Sequence, residues 1–309
     1  MLFIRLLSTL FLASLFSFAL TPLTIRLCRT VGALDTPDGK RKINTQPTPR
    51  LGGLAFFLSF SFFSLPLIFY DKFAAAILSG GSLLVAGGFA DDVFDIPPFL
   101  KLIAQISAAA IAVAFIGAPT AFSFFGVFNI SMSVPIGIAV AVFKMLFTVN
   151  AVNFSDGLDG LAAGLSVSAF ISLFFYGLIN GNTSTAVCVL ILAASVIGFL
   201  PYNKYKAKTF MGDSGSQFLG FAIAIFSLGC AKNNAYTIET TLFLIVPALD
   251  TALSVLRRLA KGKSPFSADK GHIHHILLKN GIPHPVAVKL LVFINAAVGA
   301  IVLLFYYFS

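Results

Sequence analysis

Long apolar segments, separated by short polar ones, recur along the whole 309-residue chain. A transmembrane α-helix needs about 17–25 mostly apolar residues, and these segments are near that length. Since backbone N–H and C=O groups find no water partners in lipid, such segments must be helical. The sequence therefore predicts an all-α, polytopic membrane protein with about ten transmembrane helices in one domain, 1–309. The predicted spans are 2–23, 51–70, 73–90, 99–117, 132–149, 158–179, 186–201, 214–230, 238–256 and 287–307.

The composition supports this interpretation and excludes a soluble globular protein. Hydrophobic residues make up 58% of the chain, charged residues 11%, and the mean hydropathy is +0.94. The net charge of +9 does not indicate a nucleic-acid partner, because membrane proteins need Lys and Arg in their cytoplasmic loops. The stretch 118–131 is short and irregular, with alternating Phe and Gly, and predicts a hairpin or surface loop.

Basic residues are distributed unevenly between the two sets of loops that alternating spans create. One set is rich in Lys and Arg, whereas the other has Arg5, Lys72 and Lys232. Because cytoplasmic loops carry the excess of Lys and Arg, both termini are predicted to lie outside. All acidic residues except Asp71 and Glu239 are on the basic side, together with all four His. The sequence therefore predicts an active-site cleft at the cytoplasmic face.

An acidic cluster of Asp91, Asp92 and Asp95 ends one of the apolar segments. On a continuous helix, residues three and four positions apart share a side, so the three carboxylates are expected to project together. An ionised carboxylate near lipid costs about 2.5 kcal/mol or more at a helix centre, so the cluster requires a cation or a watery cleft. With Lys101 following it, the cluster suits a phosphate bound through magnesium.

A basic loop precedes the second span and contains Lys42 and Arg50. The loop leads through prolines into a Gly-Gly helix start, which offers cations and free backbone N–H groups to an anion such as phosphate. Ordinary cytoplasmic-loop topology explains the same basic residues equally well.

The segment 150–162 repeats amides and carboxylates every three residues, at Asn150, Asn153, Asp156 and Asp159. Each step of three drifts about 60° around a helix, so the four side chains cannot share a face of one continuous helix. Glycines within the segment favour a break, with Asp156 as the N-cap of the next helix. Amides and carboxylates at such a break could orient a sugar or a base.

Asp213 begins a further apolar segment and has a glycine on one side and Ser-Gly on the other. Glycine lets the backbone approach a ligand closely, although an N-terminal cap would also explain the aspartate.

Near the other end of the chain, Asp269 precedes His272, His274 and His275. These imidazoles could bind zinc or donate hydrogen bonds to phosphate, and zinc would leave the remote carboxylates unexplained.

Four motifs gather these residues: Asp91-Asp92-x-x-Asp95, Asn150-x-x-Asn153-x-x-Asp156-Gly157-x-Asp159-Gly160-Leu161-Ala162, Phe210-Met211-Gly212-Asp213-x-Gly215-Ser216 and His272-x-His274-His275. In order and spacing they resemble the polyprenyl-phosphate N-acetylhexosamine-1-phosphate transferases, over nearly the whole chain. The resemblance implies transfer of a sugar-1-phosphate from a UDP-sugar to an undecaprenyl-type phosphate, with release of UMP and with Mg²⁺, or alternatively Mn²⁺, as cofactor. Asp95 and the His-x-His-His form are similar to the N-acetylglucosaminyl branch, which starts O-antigen or teichoic acid synthesis.

The resemblance also implies roles for individual residues. It makes Asp213 the principal metal ligand, with Asp92 or Asp91 beside it, and it matches Asn203, Phe210 and Asp159 to uridine contacts. Whether Lys42 or Arg50 contacts the substrate stays open. The catalytic candidates are Asp91, Asp92, Asp156, Lys101, His272, His274 and His275, the metal candidates are Asp213 and Asp92, and the substrate-binding candidates are Lys42, Arg50, Asn150, Asn153, Asp159, Asn203 and Phe210.

Two alternatives to this function remain at the level of the sequence. One is the same chemistry on another UDP-N-acetylhexosamine or on phospho-muramoyl-pentapeptide. The other is a cation-coupled transporter, which predicts charges near the midpoints of spans, where Asp250 is the acidic residue lying well inside one. The expected partners are a UDP-sugar, a polyprenyl phosphate and the lipid bilayer of the cytoplasmic membrane, and a homodimer is left open.

Overall fold

The structure, a computed structural model, describes residues 2–36, 47–233, 235–262 and 271–309. In these ranges the chain is mostly helical. The helices are α1 (Leu2–Val31), α2 (Gly53–Ser64), α3 (Lys72–Phe94), α4 (Pro98–Ile116), α5 (Val134–Ser155), α6 (Leu161–Ile179), α7 (Thr183–Asn203), α8 (Gly212–Gly229), α9 (Ile238–Leu242), α10 (Ile245–Ala260), α11 (Ile273–Lys279) and α12 (His284–Phe308), with a 3-10 helix at Leu65–Phe69. The strands are β1 (Leu34–Asp35), β2 (Thr48–Pro49), β3 (Ala121–Phe124), β4 (Phe128–Ser131) and β5 (Ala235–Thr237).

Seven helices in the described part of the chain are long and apolar enough to cross a membrane. They are α1, α3, α4, α5, α6, α7 and α12, and α2 with its 3-10 extension forms a shorter apolar unit, Gly53–Phe69. The protein is therefore a multi-pass, helical membrane protein, as the apolar segments predict. The total of about ten spans and the orientation of the termini stay predictions.

Helix α8 is the most enclosed helix of the described bundle. All its residues from Ser214 to Gly229 are buried, and it packs against α2, α3, α5 and α6. Because protein rather than lipid covers its surface, α8 tolerates polar residues that a lipid-facing helix would expose at a cost. Its first turn is therefore a suitable place for Asp213.

The predicted span 238–256 is not one continuous helix. It divides into α9 and α10 between Leu242 and Ile245. Helix α10 buries a polar side that includes Asp250, Thr251 and Ser254, and it exposes leucines on the other side. The polar side of α10 thus faces the protein, which brings its side chains towards the other helices.

The loop predicted at 118–131 is a hairpin in the structure. Strands β3 and β4 pair antiparallel within it, and β5 adds to β3 in parallel. A second pairing, between β1 and β2, brings Leu34 opposite Pro49 and so closes the first loop at its base. Lys42, one of the substrate-binding candidates, lies outside the described residues.

Candidate active site

Three carboxylates meet where the last turn of α3 approaches the first turn of α8. The ligand atoms of Asp91, Asp92 and Asp213 all lie within 4.8 Å of one another. The two helices approach closely because Gly88 faces the α8 backbone: a Cβ there would stand 2.5 Å from Ser214 Cα. The missing side chain therefore allows the carboxylates to converge.

Asp92 binds the N-terminus of α8 with both of its oxygens. Asp213 N donates to Oδ1 at 3.0 Å and Ser214 N donates to Oδ2 at 3.1 Å. The first N–H groups of a helix have no partner in their own helix, and the helix dipole favours a negative charge there. Asp92 thus acts as a cap supplied by a different helix, and it fixes α3 to the backbone at the start of α8.

Lys101, in the first turn of α4, lies between the other two carboxylates. Its Nζ atom is 2.6 Å from Asp91 Oδ2 and 3.0 Å from Asp213 Oδ2. Because these two carboxylates are largely buried, water screens their mutual repulsion only weakly. The Lys101 ammonium between them reduces that repulsion. The space between Asp91 and Asp213 is therefore a place where the structure already accommodates a cation.

Asp95 does not join this cluster, and the expectation that three carboxylates share one side is wrong for it. Helix α3 ends at Phe94, and Asp95 adopts a left-handed conformation with φ +49°. Its side chain is 84% exposed and pairs with Arg50 at 3.0 Å. Arg50 Nε also donates to the carbonyl oxygen of Asp92 at 2.9 Å. Arg50 therefore holds the end of α3 at the rim of the cluster.

The amide series of α5 reaches the same cluster. Asn153 Nδ2 donates to Asp213 Oδ1 at 3.0 Å and to Ser216 Oγ at 2.8 Å. Asn150 Nδ2 donates to Gln105 Oε1 at 3.0 Å. Both asparagines thus have protein partners beside Asp213, and their role as direct substrate contacts stays a prediction.

The helix breaks after Ser155, as the glycines predict, but the cap is different. Asp156 is the C-cap of α5, whereas Gly160, with φ +77°, is the N-cap of α6. That positive φ favours glycine over other residues, so Gly160 rather than Asp156 takes the N-cap position. Burial raises the pKa of the Asp156 carboxyl well above its usual range, and the charges of Asp213, Asp92 and Asp159 raise it further.

The histidine motif lies against this break. His272 Nδ1 is 2.9 Å from Asp250 Oδ2, and Ile273 N donates to Asp250 Oδ1 at 2.8 Å. A Cβ on Gly157 would stand 2.8 Å from His274 Cε1, so the α5–α6 loop packs directly on that imidazole. The ring centroids of His274 and His275 are 4.3 Å apart. The segment 153–157 therefore connects the carboxylate cluster to the histidines.

The buried imidazole of His274 predicts how acid affects stability. Burial and then the charge of His275 lower the pKa of His274 to about 4, against the opposing effect of Asp250. An unfolded histidine titrates near pH 6.5, so protons favour the unfolded chain. We expect the free energy of unfolding to fall as the pH drops from about 6.5 towards 4, by up to about 3 kcal/mol. Thermal unfolding of the substrate-free protein at pH 7 and pH 5 measures the change.

The comparison with His274→Gln isolates this contribution from those of the neighbouring histidines. The variant should lose less of its unfolding temperature between pH 7 and pH 5 than the wild type loses. Equal losses in the two proteins would contradict the assignment.

The residues matched to uridine shape the loop between α7 and α8. Ala207 N donates to Asp159 Oδ2 at 3.0 Å, and Asn203 Nδ2 donates to Thr209 O at 3.1 Å. Phe210 N donates to Pro49 O at 2.8 Å. These bonds hold the loop above the start of α8, where Asp213 lies.

Sequence reasoning missed several polar residues of this site. The sequence places Asp250 well inside a span, as a feature of the transporter alternative, but in the structure it holds His272. Gln105 and Gln217 extend the hydrogen bonds around Asp213. His284 packs against Tyr205, with ring centroids 4.8 Å apart, and its charge contributes to lowering the pKa of His274. Gln217 lies four residues after Asp213 on α8, a spacing that could have identified it. No spacing signal identifies Asp250, Gln105 and His284, because they come from other helices.

Comparison with known proteins shows the family of this chain. The family described as Glycosyl transferase family 4 matches residues 74–231. A Bacillus subtilis protein named "Probable undecaprenyl-phosphate N-acetylglucosaminyl 1-phosphate transferase" is 34% identical over 92% of this chain and 81% of its own length. The chain belongs to glycosyl transferase family 4. This confirms the family indicated by the four motifs, and it does not favour the transporter alternative.

Other relatives in glycosyl transferase family 4 have related names. A Mycolicibacterium smegmatis protein named "Decaprenyl-phosphate N-acetylglucosaminephosphotransferase" is 35% identical over 84% of this chain and 72% of its own length. An Escherichia coli K12 protein named "Undecaprenyl-phosphate alpha-N-acetylglucosaminyl 1-phosphate transferase" is 30% identical over 89% of this chain and 77% of its own length. Family membership and the cluster of Asp91, Asp92 and Asp213 together indicate a site for a divalent metal.

Proposed function

We propose that the protein transfers N-acetylglucosamine 1-phosphate from UDP-N-acetylglucosamine to undecaprenyl phosphate or a related polyprenyl phosphate. An oxygen of the lipid phosphate attacks the β-phosphorus of the UDP-sugar and forms a new P–O bond. The bond between that phosphorus and the bridging oxygen breaks, and UMP leaves with the bridging oxygen. The lipid-diphosphate-sugar then starts synthesis of a cell-envelope polysaccharide, such as a lipopolysaccharide or a teichoic acid.

The observation that carries this proposal is the set of charged and amide groups around Asp213. Lys101 and Asn153 donate hydrogen bonds to it, and Asp91 and Asp92 lie beside it. Displacement at phosphorus requires mainly positioning and charge neutralisation rather than covalent chemistry by the protein. A cluster of mixed charge, from four separate helices, suits that requirement.

The donor set of the cluster fits Mg²⁺, with Mn²⁺ as an alternative. Hard divalent ions prefer carboxylate oxygens and bind phosphate oxygens at the same time. Asp91, Asp92 and Asp213 provide carboxylates, and Lys101 offsets part of their charge. Asp213 would be the principal ligand and Asp92 or Asp91 the second. The metal would supply neutralisation of the charge that develops on the diphosphate oxygens.

The remaining candidates are assigned to the substrates by their position. Lys101 and the three histidines would hold phosphate oxygens through charge and hydrogen bonds. Asp91 is not required as a base, because a phosphate monoester with a second pKa of about 6 is largely ionised at neutral pH. Asp156, with its raised pKa, would face the same phosphates. The position of Lys101 in the cluster and the sequence motifs support these roles.

The uridine would bind at the loop between α7 and α8. Phe210 offers a ring on which a base can stack, and Asp159 lies beside the loop. Asn203 Oδ1 is buried and has no hydrogen-bond partner among the described residues, so it is available to accept a bond from a base. Arg50, at the rim, and Lys42 are the first-loop candidates for the phosphates.

The proposal places the enzyme in the cytoplasmic membrane, with the cleft facing the cytoplasm, where nucleotide sugars occur. The bias of Lys and Arg supports that orientation. The chemistry does not require a second copy of the chain, because the carboxylate cluster and the histidine motif lie on either side of segment 153–157 within a single chain.

A transfer assay tests the proposal directly. Purified protein is incubated with undecaprenyl phosphate, Mg²⁺ and one of several labelled UDP-sugars, and the lipid phase is extracted. We expect label in the lipid phase with UDP-N-acetylglucosamine and release of UMP in equal amount. Label from a different UDP-sugar would correct the substrate, and no transfer from any sugar would overturn the proposed function.

The same assay predicts the effect of removing metal. We expect EDTA to abolish transfer and excess Mg²⁺ or Mn²⁺ to restore it, because the carboxylates and the diphosphate are all negatively charged and need a cation between them. Ca²⁺, with its longer bonds and looser geometry, is the control and should restore less. Transfer that continues undiminished in EDTA would remove the metal from the proposal.

A further inference from the structure

Two glutamines are buried beside Asp213. Gln105 of α4 is 7% exposed and Gln217 of α8 is 3% exposed. A buried primary amide requires hydrogen-bond partners, since an unsatisfied one costs about 1–3 kcal/mol. Their partners therefore show what the glutamines do in this part of the bundle.

The glutamines form a continuous chain of hydrogen bonds that ends on Asp213. Asn150 Nδ2 donates to Gln105 Oε1 at 3.0 Å, and Gln105 Nε2 donates to Gln217 Oε1 at 3.2 Å. Gln217 Nε2 then donates to Asp213 Oδ2 at 3.1 Å. The chain therefore links α5, α4 and α8 to a single carboxylate oxygen.

The direction of this chain is fixed at both ends. Asn150 Nδ2 also donates to the backbone oxygen of Leu146 at 2.8 Å, and a carbonyl oxygen can only accept. The Asp213 carboxylate, when ionised, can likewise only accept. Each amide between these ends must therefore present its oxygen towards Asn150 and its N–H groups towards Asp213. Reversing either glutamine would set two donors or two acceptors against each other.

The result is a carboxylate with donors on both oxygens. Asp213 Oδ1 accepts from Asn153, and Oδ2 accepts from Gln217 and Lys101. Lys101 is shared with Asp91 and can move to a substrate phosphate, whereas Gln217 is enclosed and uncharged. At Oδ2, the Gln217 contact is the one that stays with Asp213 when the ammonium is withdrawn.

We propose that Gln217, aligned by Gln105, is a positioning residue that holds the Asp213 carboxylate in the orientation needed to bind the divalent metal. This inference rests on the metal site of the proposed function. Neither glutamine touches the substrates, and both act through Asp213. Because amides do not titrate, the alignment holds at any working pH. Partners that orient a metal ligand typically contribute about 10–100-fold to metal affinity.

Binding of Mn²⁺ alone, without substrates, tests the inference. Free Mn²⁺ is measured by electron paramagnetic resonance during titration of wild type, Gln217→Met, Gln105→Met and the double variant in detergent. Methionine keeps the length of the side chain and removes both hydrogen-bonding groups. We expect Gln217→Met to weaken Mn²⁺ binding by about tenfold, and Gln105→Met to weaken it by less. The double variant should match Gln217→Met, because Gln105 acts only through Gln217.

A buried amide that makes none of its hydrogen bonds to the cluster serves as the matched control. Asn295 of α12 is 1% exposed and bonds Ser168 and the backbone oxygen of Phe243. Asn295→Leu should lower the unfolding temperature and leave Mn²⁺ affinity unchanged. If Gln217→Met does not fold, Gln217→Asn, whose shorter amide cannot reach Asp213, carries the same expectation.

The outcomes separate this inference from the proposed function. If the wild type binds Mn²⁺ no more tightly than the glutamine variants do, the positioning role alone is overturned. Additive losses in the double variant also overturn it, since they indicate two independent structural effects. If neither the wild type nor Asp213→Asn binds Mn²⁺, the metal site and the positioning role are overturned together.

Discussion

Asp213→Asn is expected to reduce transfer by about a thousandfold or more, while the protein still folds. In the structure the side-chain carboxylate of Asp213 accepts hydrogen bonds from Asn153, Lys101 and Gln217. An asparagine must turn its NH₂ group towards one of these donors, whichever way it is oriented. The substitution also removes the negative charge that binds Lys101 and the metal.

The loss of transfer should come from the missing carboxylate charge and not from unfolding. The backbone N–H of residue 213 still donates to Asp92, so the cap of α8 is retained. Transfer of label from the UDP-sugar to the lipid measures the effect, and elution volume on size exclusion measures folding. We expect kcat to fall much more than the affinity for the UDP-sugar, because the lost group acts on the developing charge.

Asp71→Asn is the matched control, at the N-cap of α3. Asp71 accepts from Phe73 N and Thr185 Oγ1, and asparagine is an equally good cap that keeps an acceptor there. This control should retain activity within about twofold of wild type. Substantial transfer by Asp213→Asn, or an equal loss in both variants, would contradict the assignment of Asp213.

Gly88→Ala is expected to reduce transfer by about a hundredfold, although it adds a single methyl group. That Cβ would stand 2.5 Å from Ser214 Cα and 2.6 Å from the carbonyl carbon of Asp213. Both neighbours are backbone atoms, which cannot rotate away as a side chain could. Helices α3 and α8 must therefore separate, and the bonds from Asp213 N and Ser214 N to Asp92 must lengthen.

Gly87→Ala provides the control one position away on the same helix. Its Cβ would meet Ala104 Cβ at 3.4 Å, close to ordinary van der Waals contact, and alanine favours the helix by about 1 kcal/mol. We therefore expect full activity and an equal or higher unfolding temperature. The transfer assay and thermal unfolding of both variants check this pair. Wild-type activity in Gly88→Ala would show that the close approach of α3 and α8 is not needed.

Much of the site could be predicted from the sequence, because its motifs lie at helix ends that the sequence marks. Asp92 and Asp213 are 121 positions apart, yet both were expected at the same membrane face from the charge bias of the loops. The break between α5 and α6 followed from glycines in the segment 150–162. The hairpin at 118–131 followed from a stretch too short to span.

Other features could not be predicted, because they depend on where a helix ends to within one residue. Asp95 was expected beside Asp91, but α3 stops at Phe94 and a left-handed residue turns the side chain towards Arg50. Asp156 was expected to cap α6, but the loop conformation gives that position to Gly160. A shift of one residue at a helix end rotates a side chain by about 100°.

The sequence by itself determined that the protein is embedded in the membrane, which family it resembles and that its polar motifs lie at helix ends. These properties sum over residues or reside in short motifs, so they can be read without knowing which helices touch. The tertiary structure decided which side chains surround Asp213 and His272. Gln105 and Asp250 have no distinctive spacing, and only the packing of α4 and α10 against the other helices brings them to Gln217 and His272. Gln217 is four residues from Asp213 on α8, but its link to Gln105 depends on that same packing.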